Sequence, residues 1–242
     1  MLAGRADWLI LHVIPAKAET GGWASPCFGL RVFNETHAPL ITNHPVEFHS
    51  MGKYMRTLKT LREIALEYSN VQQPDLASMA RELGRVVHQD SQALAKRLAP
   101  LRNRQHGFER WLLAERSKPA ISVLVMAWPP NHLTPVHDHA GLWGLEVTLL
   151  GALEVQSYAR DPVSGTLRMK GRDWLGPGDG TWFEGDESHA HRCRNLSNHD
   201  MALTLHVYGG DLTQFSAYEQ VEPTGQWTSR LQRSTIAGRL QT

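Results

Sequence analysis

Two histidines one residue apart, in the segment Pro135-Val136-His137-Asp138-His139, constrain the fold of this chain more than any other feature. Side chains alternate between the two faces of a β-strand, so His137 and His139 point to the same side. Together they can bind one metal ion, and His191 on a later strand adds a third ligand. Proline and glycine residues around both segments indicate strands that turn at the mouth of a barrel.

Other side chains could also join a metal site. His189 stands one residue from His191 and offers a second pair, and His206 lies in another apolar strand-like segment. Glu146 is a further candidate. Imidazole suits iron, zinc, copper and nickel, so the ligand type alone does not choose the metal.

Composition sets the broad class. The 242 residues suffice for one substantial domain, and 41% hydrophobic residues support a core. A formal charge of +1 indicates neither a nucleic-acid nor a membrane partner. No run approaches the roughly 18 apolar residues of a membrane span. The two cysteines, Cys27 and Cys193, form no disulfide framework, so we expect a cytoplasmic protein.

We expect residues 1–45 to be a weakly ordered extension, because they are rich in proline, glycine and alanine and lack periodicity. The short apolar run from Trp8 makes a poor signal peptide. Met51 or Met55 is an alternative start of the protein.

We expect residues 46–242 to form a single domain. Helical spacing predicts helices from Lys53 to Tyr68, after Pro74-Asp75, and from about Ser91. The predicted helical part covers residues 46–118, a β-barrel core residues 119–215, and a C-terminal tail residues 216–242. Helices followed by many short strands predict a mostly β fold with a helical cap.

The histidine motifs resemble those of the cupin superfamily, and within it the cysteine dioxygenase family of thiol dioxygenases. The first cupin motif is similar to Pro135 to Gly151, and the second to Gly176 through His191 and Asn195. Gly144 stands where the usual cupin glutamate would be, five residues after His139; Glu146 lies two residues further on. This departure itself resembles thiol dioxygenases, which bind iron with three neutral histidines.

The resemblance implies a double-stranded β-helix, or jelly-roll, barrel. It also implies iron(II), Fe(2+), as cofactor, with three metal ligands: His137, His139 and His191. Three neutral imidazoles leave the ion its full positive charge, so a substrate thiolate can supply the missing anionic ligand. A carboxylate ligand would weaken that attraction.

The resemblance also implies a substrate pocket. Arg110 matches an arginine that binds the substrate carboxylate, and its planar guanidinium suits that group. Phe108 replaces the usual tyrosine two residues earlier. Trp128 and Trp143 are expected to line the pocket. Arg110 favours an α-amino thiol acid as the substrate.

Thr204, His206 and Tyr208 alternate along one predicted strand and so share a face. They resemble the family's Ser-His-Tyr relay, which orients the tyrosine proton, so His206 is not expected to be a ligand. Gly144 replaces the cysteine that cross-links to the matching tyrosine in the animal enzymes, so no cross-link is expected. Cys193 is expected to be a plain buried thiol.

The predicted activity is oxidation of a small thiol by O2 to a sulfinate, with L-cysteine as the favoured substrate. The expected assembly is a monomer or a small homo-oligomer. Three alternatives stay open. The substrate could instead be 3-mercaptopropionate or mercaptosuccinate. A zinc or manganese cupin isomerase is a second alternative, and a sugar- or metal-sensing cupin domain is the third. Fold alone does not separate them.

Overall fold

The computed structural model describes residues 48–103, 107–222 and 224–242. The predicted extension at residues 1–45 lies outside the described residues. The helices of the described part are α1 (Phe48–Tyr68), α2 (Leu76–Gln89), α3 (Ser91–Arg97) and α4 (Ala99–Arg102). Its strands are β1 (Glu109–Ser117), β2 (Ala120–Trp128), β3 (Val136–His137), β4 (Gly144–Leu150), β5 (Leu153–Arg160), β6 (Leu167–Leu175), β7 (Gly180–Phe183), β8 (His189–Asn195), β9 (Ala202–Tyr208), β10 (Gln214–Val221), β11 (Gln226–Arg233) and β12 (Gly238–Arg239).

The three predicted helices are confirmed. Helix α2 begins after Asp75, whose carboxylate accepts a hydrogen bond from the Ser78 amide at 2.9 Å. That contact satisfies an amide that has no partner inside the helix. Leu76, Met79 and Leu83 then recur at helical spacing on the buried face of α2.

The strands form two six-stranded sheets. One has the order β12-β1-β2-β9-β4-β7, and the other β11-β10-β3-β8-β5-β6. Neighbouring strands run antiparallel, except that β1 and β12 are parallel. Helices α1, α2 and α3 pack against the first sheet. The predicted mostly β fold with an N-terminal helical part is confirmed.

Strand alternation divides the residues of the first sheet between two environments. Val123 and Val125 of β2 pack with the helices, whereas Leu124 and Met126 pack with residues of the second sheet. Strand β2 is therefore buried on both faces, which explains why every residue from Val123 to Trp128 is apolar. The same alternation turns the even-numbered residues of β4 and β9 toward the space between the sheets.

Asn195 fixes the loop that leads toward the histidine pair. Its side chain is fully buried, and its amide nitrogen donates to the carbonyl oxygens of Trp128, Pro129 and Asp200 at 3.0, 3.0 and 2.8 Å. Its carbonyl oxygen accepts from the Ser197 amide at 3.0 Å. One buried amide thus ties the end of β2 to the turn before β9.

Two predicted boundaries are wrong. Strand β1 lies inside the predicted helical part, residues 46–118, and pairs with β2 as an antiparallel hairpin. The predicted tail, residues 216–242, contains most of β10 and all of β11 and β12. Strand β11 is exposed along most of its length, so backbone pairing with β10 holds it rather than burial. Such a strand lacks the apolar alternation by which sequence reveals strands.

Within the described residues, no helix is both long and apolar enough to cross a membrane.

Candidate metal centre

Three histidines meet between the two sheets. His137 on β3 pairs directly with His191 on β8, and His139 follows just after β3. The Nε2 atoms of His139 and His191 are 3.1 Å apart, and one ligand atom from each histidine lies within 4.8 Å of the others. Two imidazole nitrogens bound at right angles to one metal ion, each at about 2.1 Å, stand about 3 Å apart. The three histidines therefore fit one metal ion.

Neighbouring groups fix the rings of His137 and His139. Nδ1 of His137 donates to the Pro135 carbonyl oxygen at 3.0 Å, which leaves Nε2 free as the ligand atom. The His139 ring stacks on Phe183 at 4.0 Å. Asp138 faces away from the histidines, and its carboxylate accepts from the Tyr218 hydroxyl at 2.7 Å.

Burial keeps these histidines neutral. Desolvation lowers the pKa of His139 and of His191 well below its ordinary value, and neighbouring imidazoles lower both further. The pKa of His137 is lowered by desolvation as well. Neutral imidazole is the form that binds a metal. The site can therefore accept a cation at neutral pH without first releasing protons.

The buried carboxyl group of Glu146 lies next to His191. Glu146 is 1% exposed, and its Oε1 lies 3.8 Å from Nδ1 of His191. Its Oε2 lies 3.7 Å from Nδ1 of His206 and 3.8 Å from the sulfur of Cys193. Burial raises the pKa of Glu146 to about 8. Because Glu146 approaches Nδ1 of His191, and not the Nε2 that meets His139, it stands apart from the three converging nitrogens.

Cys193 lies beside both Glu146 and His191. Its sulfur is 3.9 Å from Nε2 of His191, and Glu146, His191 and Cys193 form a second close group of possible ligands. Burial, followed by the nearby Glu146 carboxyl, raises the pKa of the Cys193 thiol well above its usual value. The sulfur therefore remains a thiol at neutral pH, because the thiolate is the disfavoured form here.

Thr204, His206 and Tyr208 form a hydrogen-bonded row along β9. The Thr204 hydroxyl is 2.8 Å from Nε2 of His206, and Nδ1 of His206 is 3.0 Å from the Tyr208 hydroxyl. The Trp128 indole donates to the Thr204 hydroxyl at 2.7 Å. The Thr204 hydroxyl accepts from the indole, and among the described residues Nε2 of His206 is the acceptor within reach of its own proton. That proton therefore points to His206, and Nδ1–H of His206 points to Tyr208. The Tyr208 proton is then free to point away from the row.

Burial sets the protonation of this row. It lowers the pKa of His206 to about 3, so the imidazole is neutral. It also raises the pKa of Tyr208, so the phenol keeps its proton. All three members are therefore uncharged, and each acts through the direction of its hydrogen bond.

His137, His191 and Tyr208 line a cavity of about 460 Å³ together with Arg110. Arg110 lies on β1 and is 6% exposed. It donates to the Ser234 hydroxyl, which donates to the Leu212 carbonyl oxygen at 3.0 Å. Burial lowers the pKa of Arg110. Among the described residues no carboxylate pairs with it, so a buried cation faces the cavity without its usual partner.

Aromatic side chains form one wall of this cavity. Phe108 meets Trp128 edge to face at 4.8 Å and stacks on His132 at 5.0 Å. All three line the cavity. The prediction for Trp143 is wrong: it packs against the helix-facing core and lies outside the cavity. Gly144 faces the interior, so the preceding residue faces the other side of the sheet.

The sequence-based prediction missed several cavity residues. These are His132, Phe215, Gln232 and Ser234. The Phe215 ring lies 5.2 Å from that of His137. The one sequence signal for His132 is its position among prolines, just before the pair His137 and His139. The other three lie at or beyond the edge of the predicted barrel: Phe215 and Gln232 in the largely exposed strands β10 and β11, and Ser234 just after β11.

Gly144 leaves no room for a side chain. A Cβ atom there would lie 2.9 Å from Cδ1 of Tyr208 and closer still to the Phe183 ring. The glycine thus permits Phe183 to stack on His139. Close packing explains this residue without any metal ligand at the position.

A family model described as cysteine dioxygenase type I matches residues 95–221. The chain belongs to this family. Its two facing sheets are those of a cupin, which confirms the predicted fold. The histidines, Arg110 and the β9 row all lie inside the span matched by the cysteine dioxygenase type I model, whereas Gln232 and Ser234 lie beyond it.

Solved structures show more distant similarity. An oxalate oxidase in complex with glycolate is 14% identical, with a TM-score of 0.35 over 45% of this chain and 53% of that one. The Cnp3 cupin domain of Schizosaccharomyces pombe is 12% identical, with a TM-score of 0.34 over 43% and 61%. Thermus thermophilus TT1209 is 21% identical, with a TM-score of 0.34 over 46% and 91%. The chain thus spans about half the length of the oxalate oxidase.

Gly144→Ala should lower the free energy of unfolding by about 1–3 kcal/mol, because the added methyl group overlaps Phe183 and Tyr208. Gly171→Ala is the matched control, since its Cβ meets nothing within 4 Å in strand β6. Urea denaturation of both variants measures the difference. Equal stabilities would contradict the close packing described for Gly144.

Glu146 makes the stability of the metal-free protein depend on pH. Its pKa is raised from 4.5 to about 8 on folding, so the folded state holds a proton that the unfolded state loses. The contribution of protonated Glu146 to the free energy of unfolding is complete below the pKa that Glu146 has in the unfolded state. It is lost as the pH rises through the pKa that Glu146 has in the folded state. Relative to Glu146→Gln, the wild-type free energy of unfolding should fall by roughly 1.4 kcal/mol per pH unit between about pH 5 and about pH 8. Chemical denaturation of both proteins at several pH values measures the difference. If the two free energies of unfolding changed in parallel with pH, Glu146 would be ionising with an ordinary pKa.

Proposed function

We propose that this protein is an iron(II)-dependent thiol dioxygenase that converts a small thiol and O2 to a sulfinate, with L-cysteine as its substrate. In this reaction the thiol takes up both oxygen atoms and the thiol hydrogen is retained, so RSH and O2 give RSO2H. One observation carries the proposal. His137 and His191, two of the three neutral histidines, line the same cavity as a protonated Tyr208 and as Arg110, which has no carboxylate partner among the described residues.

The donor set suits a cation that needs an anionic substrate ligand. His137, His139 and His191 contribute no charge. Glu146 lies on the Nδ1 side of His191, and its raised pKa favours the uncharged carboxylic acid. The three histidines would hold iron(II) without adding negative charge, and the ion would supply the Lewis acidity that favours a substrate thiolate and the redox chemistry that uses O2. Neutral imidazoles also suit other metals, so the choice of iron rests on the family.

Arg110 would bind and orient the substrate carboxylate. Its guanidinium is buried, lines the cavity and is held by the Ser234 hydroxyl. A carboxylate of the substrate would supply the anionic partner that the described residues do not. Phe108 and Trp128 would exclude water from this end of the cavity and so strengthen the ion pair.

Tyr208 would hold a proton close to the reacting sulfur and oxygen atoms. Its hydroxyl oxygen accepts from Nδ1–H of His206, so its own proton is available to the cavity. The raised pKa of Tyr208 keeps that proton in place. The row from Trp128 to Tyr208 therefore orients one hydrogen-bond donor toward the substrate.

The activity is tested by oxygen consumption of iron-loaded protein with L-cysteine, 3-mercaptopropionate, mercaptosuccinate and cysteamine. We expect uptake with sulfinate as the product, detected by mass spectrometry, and the fastest turnover with L-cysteine. His139→Ala should lose both iron and uptake. Lack of uptake with every thiol would overturn the proposal, and full iron occupancy in His139→Ala would overturn the ligand assignment.

Arg110→Ala should raise KM for L-cysteine about 10- to 100-fold, because it removes a buried charged hydrogen-bond donor to the carboxylate. Cysteamine lacks a carboxylate, and its KM should change little. Steady-state oxygen uptake with both thiols measures the effect. An equal rise for the two thiols would contradict the anchoring role of Arg110.

A further inference from the structure

One polar group on the cavity wall has no role in the proposed reaction. Gln232 lies on β11 and lines the same cavity as Arg110 and His137. Its Oε1 atom is shielded from solvent and has no hydrogen-bond partner among the described residues. Buried carbonyl oxygens without a partner are rare and costly in folded proteins, so this one needs an explanation.

Strand register places Gln232 close to the three histidines. It pairs with Phe215 across the β10–β11 hairpin, and directly paired residues project from the same face of a sheet. The Phe215 ring lies 5.2 Å from the His137 ring. Gln232 therefore stands beside Phe215 at the part of the cavity that holds the candidate metal centre.

The polar groups of the cavity wall are complementary to two different substrate groups. Arg110 offers only donors, which suit a carboxylate. The Gln232 carbonyl oxygen can only accept, and it therefore suits an N–H donor of the ligand. An α-amino thiol acid carries both groups, whereas a simple thiol acid of the same length carries only the carboxylate.

We propose that Gln232 accepts a hydrogen bond from the substrate amino group and so selects an α-amino thiol acid over a thiol acid without the amine. This inference rests on the proposed function and names the substrate class of that same site. Gln232 lies beyond residues 95–221, which the family model matches. Recognition of the amine thus belongs to the C-terminal hairpin of this chain.

The test is anaerobic calorimetric binding of L-cysteine and 3-mercaptopropionate to the iron-loaded full chain. Gln232→Leu should raise Kd for L-cysteine about tenfold, the effect of losing one hydrogen bond, and change that for 3-mercaptopropionate less than twofold. Gln226→Leu makes the same substitution in β11 at a residue that does not line the cavity, and should change neither. Gln232→Glu keeps an acceptor oxygen and should keep the preference for L-cysteine.

Two results would overturn the inference: equal weakening of both ligands in Gln232→Leu, or unchanged L-cysteine binding. Loss of the L-cysteine preference in Gln232→Glu would also count against it, because that variant retains the acceptor. The measurement needs no turnover. A selective loss of L-cysteine binding without any oxygen uptake would support the role of Gln232 while the dioxygenase proposal fails.

Discussion

The approach of the His139 and His191 rings to 3.1 Å is the interaction on which the site depends. It requires β3 and β8 to pair so that His137 stands opposite His191. A slip by one residue would turn the histidines of a strand to the other face. The Asp138 contacts with Tyr218 and the Ser216 amide hold the end of β3 against β10, its neighbour on the other side from β8.

Burial gives the site its electrostatic character. It keeps the histidines neutral, raises the pKa of Glu146 and keeps the proton on Tyr208. Arg110 is the cation that burial leaves facing the cavity. The helices packed on the outer face of the first sheet make this possible, because they let β4 and β9 be apolar outside while Glu146, Thr204, His206 and Tyr208 face inside.

Sequence reasoning succeeded for the features that depend on short-range pattern. Alternation placed Thr204, His206 and Tyr208 on one face, and helical spacing located α1 and α2. It failed where stability comes from backbone pairing or from contacts distant in sequence. Trp143 faces the helices because it is out of phase with Gly144, and Gln232 lies on a strand too exposed to show a pattern.

The central claim is that three neutral nitrogen ligands leave the anionic position to a substrate thiolate. X-ray absorption spectroscopy at the iron edge of the anaerobic protein, before and after addition of L-cysteine, tests it most directly. The account predicts nitrogen ligands from three histidines and a new iron–sulfur scatterer on addition of L-cysteine. An iron environment that is unchanged by the thiol would contradict it.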